Sequence, residues 1–272
     1  MEGKIVKIIS NDYTVLTSDN RYICKSRGKF RNMKITPLVG DNVIFDEKKN
    51  YITDVLERKN TLLRPPVANI DQAIIITSVK DPDFFSNLLD KLLVQIEYNN
   101  IKPIICFTKL DLLNDDEVKH YIKYYQTIGY DVYLNTKITK LKKIFKNKIT
   151  VFTGQSGAGK STLLNKLDSN LNIKTDEISY ALGRGKHTTR HVELLSILDG
   201  LVADTPGFSS LDFVGMSDTD IRDNFIEFNE FKEKCEYRDC MHRNETNCEI
   251  KKQIGNNILE SRYNNYLKFI SR

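Results

Sequence analysis

Ile149-Thr150-Val151-Phe152-Thr153-Gly154-Gln155-Ser156-Gly157-Ala158-Gly159-Lys160-Ser161-Thr162-Leu163-Leu164-Asn165-Lys166-Leu167 is the stretch whose reading decides the fold. Ile149–Thr153 is a β-branched and aromatic run and reads as a buried strand. Gly154–Thr162 fits G-x-x-x-x-G-K-S/T, and the leucines after it read as the apolar face of a helix. Strand, glycine loop and helix in that order give the motif its meaning. The glycines let backbone N–H groups point inward at phosphate oxygens, and the helix start adds positive potential. Lys160 is placed to reach a β- and γ-phosphate, and the Ser161 hydroxyl to ligate Mg²⁺.

Two further segments narrow the nucleotide. Thr108-Lys109-Leu110-Asp111 follows the apolar strand Pro103–Phe107 and has the form Asn/Thr-Lys-x-Asp. A carboxylate there accepts from guanine N1–H and N2–H₂, and a base lacking both donors leaves a buried charge unpaired. Asp204-Thr205-Pro206-Gly207 ends another strand and has the form D-x-x-G, in which the Asp holds Mg²⁺ through water and the Gly N–H senses the γ-phosphate. Each tetrapeptide alone is weak; three loops at strand C-termini together are strong. The guanine reader at 108 precedes the phosphate loop at 154, so the domain reads as circularly permuted. The chain then leaves the D-x-x-G loop straight into residues 212–272, which wires a γ-phosphate switch to the C-terminal segment.

Gly183-Arg184-Gly185-Lys186-His187-Thr188-Thr189-Arg190 lies where a first switch belongs. Thr188 or Thr189 is expected to ligate Mg²⁺, with Thr189 preferred. Phe208 stands where a water-positioning Gln is found in Ras-like enzymes, so either the intrinsic rate is low or another group orients the water. His187 is the nearest candidate, with His191 behind it; the bland alternative is that His187 meets only solvent or RNA.

Around these loops the rhythm is β/α. Ala73–Val79, Tyr130–Leu134, His191–Leu198 and Leu201–Asp204 read as strands, the last two joined by a type I′ turn at Asp199-Gly200. Leu88, Leu89, Leu92, Leu93 and Ile96 make a helix face, and Asn114 with Glu117 forms a capping box for a helix running towards Ile128. A mostly parallel sheet with helices on both faces follows. Before it, Lys4–Ile9, Tyr13–Leu16, Arg21–Cys24 and Asn42–Phe45 read as strands without an intervening helix, hence a small β-barrel. An OB-fold is preferred, with an SH3-like barrel as the alternative. Arg64-Pro65-Pro66 reads as a linker.

Composition sets limits. Hydrophobic residues are 40% and charged residues 28% of 272, with no apolar run long enough to span a bilayer and no signal peptide at Met1–Ser10. A membrane protein, a secreted disulfide scaffold and a disordered tail are thereby disfavoured. Residues 1–65 carry 13 Lys+Arg against 8 Asp+Glu, whereas 66–215 carry 18 against 17 and 216–272 carry 10 against 11. The N-terminal barrel is therefore a candidate polyanion binder, or a merely solvated lysine-rich surface. Beyond residue 212 the chain reads as helical and polar, with Cys235, Cys240, His242 and Cys248 spaced C-x₄-C-x-H-x₅-C. Three thiolates and an imidazole suit a closed tetrahedral Zn²⁺ site, and the sparse apolar sequence around them suggests that metal stabilises the segment. Cys24 and Cys106 lie in strand patterns and read as buried, inert thiols. Three domains are expected: an OB-fold at 1–63, a circularly permuted P-loop GTPase at 64–211, and an α-helical zinc-binding domain at 212–272.

The combination resembles the RsgA family (YjeQ and YloQ are other names), circularly permuted GTPases dependent on the small ribosomal subunit. Pro37-Leu38-Val39-Gly40-Asp41 resembles its OB signature, and Arg64 to Gln72 its entry into the GTPase domain. Gly154–Thr162, Gly183–Thr189 and Asp204–Phe208 resemble its nucleotide motifs, and Cys235 to Cys248 with Arg262-Tyr263 and Tyr266 its zinc domain. Asn42 departs from a usual aromatic, and Asn135-Thr136 replaces Ser-Ala in the last guanine motif. The resemblance implies a cytoplasmic, membrane-free, monomeric factor that binds the 30S subunit and 16S rRNA, hydrolyses GTP to GDP when stimulated by that particle, and then leaves. It implies one Zn²⁺ per chain and Mg²⁺ with GTP. The rival readings are a GTPase acting away from the ribosome and a nucleotide-gated RNA-binding module with negligible turnover.

Overall fold

The structure, a computed structural model, describes residues 1–26, 30, 35–63, 66–113, 116–168, 192–204 and 213–271; of Leu63, Glu117 and Asp204 only the backbone is described. Two compact units form: Met1–Ile74 with Lys137–Thr153 and Gly159–Ser209, and Ile75–Thr136 with Gly154–Ala158 and Ser210–Arg272.

In the first unit, alternating apolar residues fold the N-terminal strands into a barrel. Its strands are β1 (Glu2–Ile9), β2 (Asp12–Leu16), β3 (Arg21–Ser26), β4 (Asn42–Asp46) and β5 (Tyr51–Val55). Ile5, Val15, Cys24, Val43, Phe45 and Ile52 point inward and are buried. β1 pairs antiparallel with both β2 and β4, while β3 pairs parallel with β5. That closed five-strand order is the OB-fold and not a meandering SH3-like barrel. β5 is not among the expected strands; Asp54 in its middle weakens the β signal of Tyr51-Ile52-Thr53.

The Pro37–Asp41 signature is architectural. Fully buried Asp41 accepts from Arg58 Nε and Nη2 at 2.7 and 2.8 Å and from the Leu38 N–H at 2.7 Å. Gly40 sits at φ +93°, and a Cβ there would stand 2.0 Å from the Ala68 carbonyl oxygen. Asn69 Nδ2 donates to that glycine's carbonyl at 3.0 Å, and the Ala68 N–H donates to the Val39 carbonyl at 2.8 Å. The expected linker is partly structured: Pro66 opens β7 (Pro66–Ala68), which pairs antiparallel with β6 (Thr61–Leu63), and Arg64-Pro65 lie outside the described residues.

The sheet of the same unit holds β11 (Ile149–Gly154), β13 (Gly200–Asp204) and β12 (Glu193–Ile197); β11 and β13 run parallel and β12–β13 is an antiparallel hairpin. The turn residues are Leu198 and Asp199, at φ 51° and 57°, one place earlier than expected. Gly200 begins the strand instead, because a Cβ there would lie 2.1 Å from the Phe145 carbonyl oxygen. β12 also pairs with β1 at Lys7↔Glu193, and the two side chains form an ion pair of 2.6 Å. Barrel and α/β sheet are therefore one hydrogen-bonded sheet.

β8 (Gln72–Ser78) starts in the first unit and ends in the second, beside β9 (Lys102–Thr108) and the parallel β10 (Asp131–Leu134). The helices are α1 (Ser86–Tyr98), α2 (Asp116–Thr127), α3 (Ile138–Lys142), α4 (Lys160–Leu167), α5 (Asp218–Asp223), α6 (Glu249–Lys252) and α7 (Glu260–Ile270) among the described residues. The expected cap at Asn114 lies outside them.

The C-terminal segment is less polar than its sequence suggests. Phe213, Ile221, Phe225, Phe228, Tyr266 and Phe269 form a core that also takes in Val94 of α1. Beside it Arg262, 1% exposed, donates to Asp90 at 2.5 Å and to Glu227, with Nη2 to Glu227 Oε2 at 3.0 Å. Tyr125 and Asn265 complete the Asp90 carboxylate at 2.6 and 2.7 Å. Stability here comes from apolar burial and a satisfied charge network, not from a metal alone.

Candidate nucleotide site and metal cluster

The second unit brings the guanine-reader loop to the phosphate loop. β9 ends at buried Thr108, whose hydroxyl donates to the Ala158 carbonyl at 2.6 Å. Its single proton serves this closer acceptor, with the Thr77 carbonyl 3.3 Å away. Lys109 then turns through φ 56°, and its ammonium donates to the Asp81 carbonyl. Leu110–Leu112 is one 3₁₀ turn that leaves Asp111 exposed. Thr108 and Lys109 thus act on loop backbones, while the Asp111 side chain is exposed beside them. Sequence reasoning gives no role to Ser78–Pro82, which holds Lys109 and is itself tied by Ser78 Oγ to the Pro82 carbonyl at 2.6 Å. The Asp-Pro dipeptide is its one sequence signal.

Gly154 must be glycine: φ is +129°, and a Cβ would stand 2.0 Å from the Ile76 carbonyl oxygen. Gly157 and Gly159 also have positive φ, and the Ala158 N–H donates to the Gln155 carbonyl at 3.2 Å. This curl carries the chain through Gln155, Ser156 and Gly159 into α4, which Lys160, Ser161 and Thr162 open. Ser161 is buried at 7% exposure. Burial pulls the Lys160 ammonium below the ordinary lysine range. A polyphosphate placed beside it would restore the charge.

Asn135 follows β10, and its N–H donates to the Phe107 carbonyl at 2.9 Å, which places it at the end of the β9–β10 pair. Its Oδ1 is buried and lacks a partner among the described residues. Asp204 ends β13 as expected. Thr205–Phe208, with Gly207, and the Gly183–His191 segment, with His187, Thr188, Thr189 and His191, lie outside the described residues.

Cys235, Cys240, His242 and Cys248 converge, with their ligand atoms all within 4.8 Å of one another. His242 Nδ1 lies 3.3 Å from Cys248 Sγ and 3.7 Å from Cys235 Sγ, so this nitrogen faces the thiols. Burial brings the His242 imidazole down to about 4, keeping it neutral, and raises the Cys240 thiol to about 12. His242 Nε2 is buried without a partner among the described residues. Four soft donors this close, on a neutral imidazole and three thiols, fit a tetrahedral metal ion.

Residues 55–214 match the model of the RsgA GTPase family, and residues 2–52 match that of the RsgA N-terminal domain. A small ribosomal subunit biogenesis GTPase, RsgA 2, of Oceanobacillus iheyensis is 50% identical over 281 residues, covering 99% of this chain and 96% of its own. The corresponding Bacillus velezensis protein is 47% identical, with 99% and 96% covered. Among solved structures, YloQ, described as a circularly permuted GTPase, superposes with a TM-score of 0.85 at 39% identity, covering 99% of this chain and 93% of that one. YjeQ from Thermotoga maritima gives 0.85 at 33% identity, with 99% and 97% covered.

Proposed function

Because this chain belongs to the RsgA family of circularly permuted GTPases and is therefore a GTP hydrolase, we propose that it serves maturation of the small ribosomal subunit. In this reading it binds the 30S particle and 16S rRNA, hydrolyses GTP to GDP when the particle stimulates it, and leaves. The observation that carries the nucleotide half is the hydrogen bond from Thr108 to Ala158, which couples the base-reading loop to the phosphate loop. Asp111 reads guanine, Lys160 neutralises β/γ charge, and Gly154–Thr162 supply backbone N–H groups to the phosphates. Ser161, Thr189 and Asp204 would hold Mg²⁺, directly or through water; the ion would offset phosphate charge as the γ-phosphoryl transfers. Gly207 senses the γ-phosphate, and His187 orients the attacking water when the chain is bound to rRNA. Cys235, Cys240, His242 and Cys248 would hold one Zn²⁺; its charge would favour the thiolate forms, their protons passing to solvent, and the closed site would pin the segment.

The working boundaries are 1–63, 64–211 and 212–272, in a cytoplasmic monomer. Among the described residues no helix is long and apolar enough to cross a membrane. The deciding experiment is GTP hydrolysis by the full chain with 30S subunits, with 50S subunits and with neither. A rate raised only by 30S supports the reading. An equal rate in all three points to a GTPase acting elsewhere, and none in any points to a nucleotide-gated RNA binder. Metal analysis of protein purified without chelator should find about one zinc per chain; none would remove the zinc assignment.

A further inference from the structure

Lys137-Ile138-Thr139-Lys140-Leu141-Lys142-Lys143-Ile144-Phe145-Lys146-Asn147-Lys148 holds six lysines and no acid. The near balance of residues 66–215, 18 basic against 17 acidic, conceals this: without the six lysines, 12 basic stand against 17 acidic. The segment is anchored, since Leu141 and Phe145 are fully buried. All six lysines are exposed, and none has an acidic partner among the described residues. Lys140 and Lys142 close the short helix Ile138–Lys142, and Lys143 and Lys146 follow in the turns after it, so like charges crowd one short stretch. The fold holds positive charge together there, and no acid among the described residues pairs with it.

The segment ends at a cleft of about 760 Å³ in the same unit, which Asn147 and Lys148 line together with Lys4, Ser18, Asn42 and Lys59. Lys4 Nζ donates to Asn42 Oδ1 at 2.6 Å, and burial is the largest influence lowering its pKa. Of the acids lining the cleft, Asp71 is occupied by Lys59 and by the Ile149 N–H at 2.6 Å, while Glu57 and Asp199 are exposed. Within the cleft three ammonium groups stand against three carboxylates, so its carboxamides and serine hydroxyls suit sugar hydroxyls, and the excess charge that suits phosphates lies on the lysines of 137–148. A flat bilayer surface fits less well, because Leu141 and Phe145 are buried and offer no apolar wedge.

We propose that Lys137–Lys148, on the GTPase portion of the chain, and the cleft it borders, which barrel residues also line, form a binding surface for the phosphate backbone of RNA, additional to the Cys₃His segment. The choice of RNA as the polyanion rests on the small-subunit reading above.

The test uses the full chain and a fluorescein-labelled uridine oligonucleotide of about 20 residues, with anisotropy followed from about 50 to 200 mM KCl. The variant is Lys140→Gln/Lys142→Gln/Lys143→Gln/Lys146→Gln. A control removes four other lysines, Lys102, Lys119, Lys123 and Lys268, to Gln, giving the same net charge. For single strands each phosphate contact contributes about 0.7 to the log–log salt slope, so the variant should lose about 2 to 3 from the slope and bind about tenfold or more weakly at low salt. Unstimulated GTP hydrolysis should not change, and the four-fold Lys→Arg counterpart should bind like wild type. Equal weakening in the control, or wild-type slope and affinity in the variant, overturns the proposal. Loss of binding to phosphatidylserine vesicles with RNA binding intact overturns it in favour of a membrane. Cosedimentation with 30S subunits separates the two readings. If wild type does not bind 30S but the oligonucleotide difference persists, the small-subunit reading falls and the RNA surface stands. If wild type binds 30S and the variant matches it on both probes, the surface falls alone.

Discussion

Arg262 and Lys160 are two cations taken out of water, and the chain treats them in opposite ways. Desolvation acts to discharge Arg262, but the carboxylates of Glu227 and Asp90 outweigh it and hold the guanidinium charged, with Tyr130 adding to the effect. Lys160 meets the same desolvation, and there burial prevails and its pKa falls. A buried charge completed by the chain's own residues is architecture. One whose charge burial disfavours, at the mouth of a phosphate loop, is where an outside charge of opposite sign has most to gain. The Cys₃His cluster is a third case, a set of neutral buried donors whose geometry could hold a cation.

The contrast is broken most severely at Arg262. Arg262→Ala strands two buried carboxylates and should lower the unfolding free energy of the nucleotide-free chain by about 3–5 kcal/mol, read from denaturant midpoints. A loss below about 1 kcal/mol would mean that the network is not structural. Lys160→Ala should leave that same stability almost unchanged, yet remove hydrolysis and the stabilisation that nucleotide gives. At a GTP concentration of about 100 Kd wild type gains about 2.7 kcal/mol, and the variant should gain little at the same concentration.

Asp111→Asn sharpens the comparison on the base side. It should weaken GTP by about 1.5–3 kcal/mol and shift preference to the xanthine nucleotide, whose 2-oxo group accepts from the new amide. Unchanged GTP affinity would dissociate Thr108–Asp111 from guanine. The smallest effect is in pH. The folded chain holds the Lys160 proton less tightly than the unfolded chain does, so a stability penalty is fully present below the lowered pKa. It lifts as pH rises from that value to the ordinary lysine range near 10.5. Over that alkaline window the unfolding free energy of wild type should rise relative to Lys160→Ala, and GTP affinity should fall as the ammonium is lost. Parallel pH curves for the two proteins would argue against an ammonium destabilised by burial.

Much of the molecule was legible because its signals are local. Strand periodicity marks β1 to β4, β8, β9 and β11 to within a residue or two, and the glycine loop announces its own backbone. The rest depends on partners distant in sequence. Gly200 looks like a turn residue until Phe145 is seen packed over it. Asp90 is an acid in an apolar helix, and its burial is explained by distant partners, Tyr125, Asn265 and above all Arg262, 172 positions away. The aromatic residues from Phe213 to Phe269 are spread through short helices and 3₁₀ turns, so no single period reveals them as a core. The Pro37–Asp41 signature is legible as a motif, but its use as a joint needs Arg58 and Asn69 in place. The switch residues stay expectations, since they fall outside the described segments.

The ladder between β1 and β12 has a practical cost for anyone cutting this chain. A fragment starting at residue 64, the natural reading of a domain boundary, would lose Lys7 and the rest of β1 and uncover β12 as a free edge. Unpaired N–H and C=O groups on such an edge recruit other strands, so the shortened protein should associate or precipitate even if its nucleotide loops remain well formed. The barrel is thus also the cover that keeps the sheet from polymerising.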